Sequence, residues 1–158
     1  MPFAVEPADE DFFTTAAQRY RYPMELPVPL ERVWAVLSGD EPLDFVRGLR
    51  IRWTSPSPRG LGATRRANGS FGAIRLDEHY FIWEEGRRTS FYVTAANVPF
   101  FRRFAEDYIV EPTADGCRFT WTFAAEPRTP RPIAAANGLV QKTMFGAMAR
   151  DFGRHFGG

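Results

Sequence analysis

Between Arg118 and Phe123, polar and apolar residues alternate strictly: Phe119, Trp121 and Phe123 are interleaved with Arg118, Thr120 and Thr122. A period of two places three rings on one face of a strand and polar groups on the other. Looser versions of this pattern recur in LGATRRAN, AIRLDEHYFIWEE, RRTSFYVTAA and RRFAEDYIVEP, separated by Asn68-Gly69, Glu85-Gly86, Asn97 to Pro99 and Asp115-Gly116. Such dipeptides reverse the chain, so the pattern predicts an antiparallel meander. An earlier strand is predicted in QRYRYPMELPV from Gln18, where Pro23 and Pro27 suit an edge or a strand end.

The period becomes helical in PLERVWAVLSGD, with Pro29 in the first turn, Leu30, Val33, Trp34 and Leu37 on one face, and Gly39 after the end. DEPLDFVRGL predicts a second short helix capped by Asp40, and Pro56 and Pro58 mark a loop. After PRTPRP, a long final helix is predicted, with Ile133, Val140, Met144, Met148, Phe152 and Phe156 as its buried stripe. Gly138, Gly146 and Gly153 interrupt this helix. Each costs about 1 kcal/mol relative to alanine, so either they open space towards the sheet or they face solvent.

A sheet with one apolar face must be covered, and the last helix is the only long element available. The predicted fold class is therefore α+β: a curved antiparallel sheet of about six or seven strands wrapped round the C-terminal helix, with two short helices after the first strand. Residues 18–158 form a single domain in this reading. Residues 1–17, which contain VEPADEDFF, form an acidic extension expected to be a solvated tail.

Composition narrows the function classes. The 158 residues carry a formal net charge of +1 with acids and bases interleaved, which is not the footprint of a nucleic-acid binder. Fifteen Phe and four Trp furnish either a thick core or a ring-lined pocket. Cys117, the single cysteine, excludes an intramolecular disulfide and a thiolate metal cluster. No apolar run has membrane-span length and the first residues lack a signal-peptide pattern, so a cytoplasmic protein without stable membrane insertion is expected. No motif calls for a metal, nucleotide or other cofactor.

The strings ELPVPLERVWAVLSG, GLGATRR and EHYFIWEEGRRTSFYV, in this order between Gln18 and Phe156, resemble the START-like or SRPBCC superfamily. This group includes the Bet v 1-like helix-grip proteins and bacterial polyketide cyclase/dehydrase-like proteins. The resemblance implies binding of a hydrophobic small molecule between sheet and long helix, and in some members polyketide cyclisation there. None of the strings is an active-site signature, so no catalytic residue is assigned.

Strand parity adds candidates. Phe104, Tyr108 and Val110 carry Glu106 inward, and Ile74, Leu76, Tyr80 and Ile82 carry Glu78 inward. Buried carboxylates require partners, and Arg65 can hold one with two bonds. Arg65, Glu78, Glu106 and Tyr108 are thus the candidate polar groups that orient a ligand, with Trp34, Tyr80, Phe91, Trp121, Val140 and Met144 as its apolar contacts. The loop SPSPRGLGATRR is expected at the cavity mouth. His79 and His155 lack metal-ligand spacing. The leading expectation is a binding protein for a polyketide, lipid or aromatic metabolite. The alternatives are a cyclase or dehydratase using the same cavity, and a protein-interaction module.

Overall fold

The computed structural model describes residues 2–158. In chain order its elements are β1 (Phe3–Ala4), α1 (Phe12–Thr15), β2 (Gln18–Leu26), α2 (Leu30–Ser38), β3 (Arg50–Trp53), β4 (Thr64–Gly69), β5 (Ile74–Glu84), β6 (Arg88–Ala96), β7 (Phe101–Thr113), β8 (Gly116–Pro127) and α3 (Arg131–His155). All eight strands join one antiparallel sheet in the order β2-β8-β7-β6-β5-β4-β3, with β1 pairing separately to β6. The helix-grip arrangement is present, and α3 lies across the inner face. Among the described residues, no helix is long and apolar enough to cross a membrane.

Two strands lie outside the six segments singled out from the pattern: β3, and β1, which falls in the segment expected to be a solvated tail. That segment packs against the sheet. Phe12 is 1% exposed and joins Ala8 and Ala16 over Ala105 and Ala124 on the outer face of β7 and β8. Glu10 pairs with Arg88 at 2.7 Å and Glu6 with Arg102 at 3.2 Å. Glu6 and Glu10 are therefore engaged by the sheet's own arginines. The signal in the sequence was the apolar set Ala8, Phe12 and Ala16, beneath the more conspicuous charges.

Residues 40–48 form turns in place of the expected second helix. Leu43 takes φ +59°, which no α-helix accommodates, and the turns close through Val46 N–H to Leu43 C=O and Leu49 N–H to Val46 C=O. In β5 the pairing slips between Tyr80 and Ile82, so Trp83, instead of Ile82, joins the inner core.

The buried face of α3 also differs from the expected stripe. Ile133 and Val140 point outward, Val140 being 67% exposed, and the large buried side chains are Gln141, Phe145, Phe152 and Phe156. At its start the helix presents small residues to β2. A Cβ on Gly138 would lie 2.9 Å from Gln18 Nε2 and 3.3 Å from Tyr20 Oη. Hydrogen bonds from Gln18 Nε2 to Ala134 C=O (3.1 Å), Tyr20 Oη to Gly138 C=O (3.1 Å) and Tyr22 Oη to Lys142 C=O (3.3 Å) tie the strand to successive turns of the helix. Gly146 and Gly153 follow towards Tyr22 and Met24. The glycines thus let the helix approach β2 closely.

Candidate functional site

Two parts of the inner face differ in how they are filled. Under the second half of α3, rings pack directly on rings: Phe145 stacks on Phe123 with centroids 4.0 Å apart, and Phe152 meets Phe119 at 4.4 Å. Beneath β3 to β5 lies a cavity of about 230 Å³, bounded by Leu43 and Leu49 of the turn segment, Ala67 of β4, Leu76 of β5, Phe104 of β7 and Met144 and Met148 of α3. An apolar cavity of about 150 Å³ accommodates benzene, so this one has room for a small organic molecule.

Its wall carries a charged cluster built by sheet register. Arg65 on β4 and Glu78 on β5 are direct cross-strand partners on the inner face, and Arg65 Nε donates to Glu78 Oε2 at 2.5 Å. Arg65 is 1% exposed, with its guanidinium 4.4 Å from the Phe91 centroid and 5.3 Å from that of Tyr80. Its Nη2 donates to Tyr108 Oη at 3.1 Å, and Tyr108 Oη donates to Glu106 Oε2 at 3.0 Å. Glu106 and Tyr108 share a face because they lie two apart on β7. The chain of contacts therefore runs Glu78, Arg65, Tyr108, Glu106.

Burial sets the protonation of this cluster. Removal from water pushes the Glu106 carboxyl up to about 8, with the negative charge of Glu78 adding to the rise and Arg65 opposing it. The Trp121 indole N–H also pulls the other way, although it completes no hydrogen bond. Burial raises Glu78 too, against the attraction of Arg65. Desolvation works against the Arg65 charge, but Glu78 and the two tyrosines more than offset it. Burial also raises the Tyr80 and Tyr108 phenols, so both stay protonated at neutral pH.

Of the residues singled out from the sequence, Arg65, Glu78, Glu106, Tyr108, Trp121 and Met144 line the cavity together. Phe91 and Tyr80 lie behind Arg65 as its ring platform. Trp34 stands apart: its indole donates to Glu85 at 2.8 Å and its ring meets Trp83 edge-on, closing the hairpin end of the interior. Val140 is on the outer surface, while Gly138 and Gln141 take the inward positions beside it. Gly138 and Gly146 do not border the cavity, whereas Ala147 does.

The loop expected at the mouth lies elsewhere, since Arg59 pairs with Asp40 at 2.6 Å and stacks over Trp53. The cavity reaches the surface at Phe71, which is 80% exposed yet borders it. Phe71 and Ser70 have φ of +57° and +48°, and the Phe71 ring lies over Gly48. Periodicity could not reveal this turn, but its Asn68-Gly69 start was visible. His79 packs near Tyr92 and His155 stacks on Phe45 at 3.7 Å.

Comparison with known proteins agrees with this architecture. Residues 17–156 match the family model described as polyketide cyclase / dehydrase and lipid transport. The uncharacterized protein Mb2604 of Mycobacterium bovis is 33% identical over 121 residues, covering 75% of this chain and 72% of that protein. The uncharacterized protein Rv2574 of Mycobacterium tuberculosis matches to the same extent. A START superfamily protein from Mycobacterium smegmatis superposes with a TM-score of 0.69 at 9% identity, covering 89% of this chain and 97% of that one. Ginseng major latex-like protein 151 from Panax ginseng superposes at 0.65 with 11% identity, covering 87% and 96%. Those structural likenesses establish the fold, and the sequence match establishes the kinship: the chain belongs to the polyketide cyclase / dehydrase and lipid transport family.

Proposed function

We propose that this protein binds a small hydrophobic or amphipathic molecule, such as a polyketide fragment, a short lipid or an aromatic metabolite, in the cavity between β3 to β5 and α3. The observation that carries this reading is the void of about 230 Å³ left in an otherwise ring-packed interior, bounded mostly by apolar side chains and open at Phe71. Arg65, Glu78, Glu106 and Tyr108 orient the ligand, while Trp121 and Met144 give it apolar contact. The volume suits roughly one or two fused rings, by comparison with cavities that take benzene.

Calorimetric titration with 2-ethylnaphthalene tests the reading. Saturable binding is expected for the unaltered protein, and its loss in Ala67→Phe, where a ring fills the space from β4. Absence of saturable binding to the unaltered protein overturns it.

A second reading, proton-transfer catalysis on the bound molecule, is favoured by the Glu106 carboxyl, which titrates near neutrality as a general acid or base requires. Turnover of a bound substrate that survives Glu106→Gln excludes that role for Glu106.

A further inference from the structure

We propose that the ligand presents a neutral carbonyl oxygen to Glu106, whose carboxyl donates the hydrogen bond that selects it. This deepens the cavity-binding reading above and rests on it.

Hydrogen-bond direction fixes where the protons of the cluster lie. Arginine carries donors and no acceptor, so in the contact between Arg65 Nη2 and Tyr108 Oη the phenol oxygen accepts. The tyrosine proton must then go elsewhere, and Glu106 Oε2 is 3.0 Å away. Any other arrangement leaves a buried hydroxyl proton without an acceptor, which is costly. Glu106 Oε2 is thus an acceptor, and when the carboxyl is neutral its proton resides on Oε1. Glu106 borders the cavity, and among the described residues none accepts a hydrogen bond from that second oxygen. Its natural partner is an acceptor on the ligand.

The charges around Glu106 favour a neutral group. Arg65 approaches from β4, Glu78 and Tyr80 from β5 and Tyr108 from β7, while Arg47 borders the same cavity from the turn segment. β8 contributes the Trp121 indole, and α3 contributes Met144, Phe145 and Met148, none of which titrates. Among the described residues the one buried cation, Arg65, is already paired with Glu78 through Nε, although its Nη1 has no partner. A ligand carboxylate beside Glu106 meets the charge of Glu78, with Arg65 already paired to that residue and Arg47 out at the exposed rim, and an ammonium must shed its water to reach Glu106. A carbonyl oxygen needs only the donor on offer. With its carboxyl pushed up to about 8, Glu106 keeps that donor at neutral pH and loses it in alkali.

The test compares naphthalenes of one shape at pH 6.5 and 9.5: 2-acetylnaphthalene, 2-ethylnaphthalene, 2-naphthoate and 2-(aminomethyl)naphthalene. At pH 6.5 the ketone is expected to bind about tenfold more tightly than the hydrocarbon, the value of one buried hydrogen bond, and more tightly than the acid or amine. At pH 9.5 the preference disappears. Glu106→Gln keeps an uncharged donor beside Tyr108 and retains the preference at both pH values, whereas Glu106→Leu binds ketone and hydrocarbon alike. A carbonyl-labelled ketone provides a readout independent of variants: its C=O stretch shifts to lower wavenumber when bound at pH 6.5 and not at pH 9.5.

Equal binding of ketone and hydrocarbon at pH 6.5, tighter binding of the amine or acid, or an unshifted stretch overturns the carbonyl proposal while the cavity reading stands. If neither the ketone nor the hydrocarbon binds, the cavity reading fails and takes this proposal with it.

Discussion

The two halves of the inner sheet face use the same alternation for opposite ends. On β8, Phe119, Trp121 and Phe123 meet Phe145 and Phe152 of α3, and the space between them is filled by aromatic carbon. On β4 and β5 the equivalent inward positions include Arg65, Ala67, Leu76 and Glu78, and a cavity remains beneath the helix. The filled half anchors the helix. The hollow half can therefore keep its charges and its void without the helix settling onto them. Burial beside a cavity raises a carboxyl, whereas burial in ring packing would exclude one altogether.

The largest expected effect lies in the filled half. Phe152→Ala should cost about 4 kcal/mol, as measured by urea unfolding, because rings on several sides cannot collapse into the space. An effect below about 1 kcal/mol would remove the distinction between the halves.

In the hollow half, Arg65→Met should cost about 3 kcal/mol by the same measurement, since it leaves Glu78 buried without its cation. Adding Glu78→Leu should restore most of that loss, because the pair is then absent from both sides of the comparison.

Glu106 gives the hollow half a pH signature. Its folded-state carboxyl is raised to about 8 above the ordinary carboxylate range, so its contribution is fully present below that range and is lost as pH rises through 8. Unfolding free energy should fall by up to about 1.4 kcal/mol per pH unit between about pH 5 and 8 relative to Glu106→Gln. Parallel pH profiles for the two proteins would show that Glu106 is ionised throughout.

The smallest effect separates the glycines. Gly153→Ala, whose new methyl would lie 3.9 Å from Met24 Sδ, should stabilise by about 0.5–1 kcal/mol in thermal unfolding through helix propensity. Gly138→Ala should gain less, since Gln18 must move first. Equal gains would show that close approach to β2 is not the reason for Gly138.

Much of the charged cluster is legible in the sequence. Alternation alone turned Glu78 and Glu106 inward, and the need of a buried carboxylate for a partner pointed to Arg65. The void beside them was less legible, because its boundary comes from elements distant in sequence: the turns around Leu43 and Leu49, Phe71, and Phe104. Val140 and Ile133 misled for a physical reason. There the helix turns Ala134, Gly138 and Gln141 towards the sheet and leaves its large apolar residues outside, the reverse of the usual stripe. Phe12 was masked by neighbouring acids whose partners, Arg88 and Arg102, lie far along the chain.

The central claim, a sheet face filled on one side and hollow on the other, is tested most directly by methyl-resolved NMR during titration with 2-ethylnaphthalene. The account predicts saturable shifts at Leu43, Ile51, Ile74 and Leu76, with Val33 and Val110 unmoved. Shifts centred on Val33 and Val110, or no saturable shift at any methyl, would contradict it.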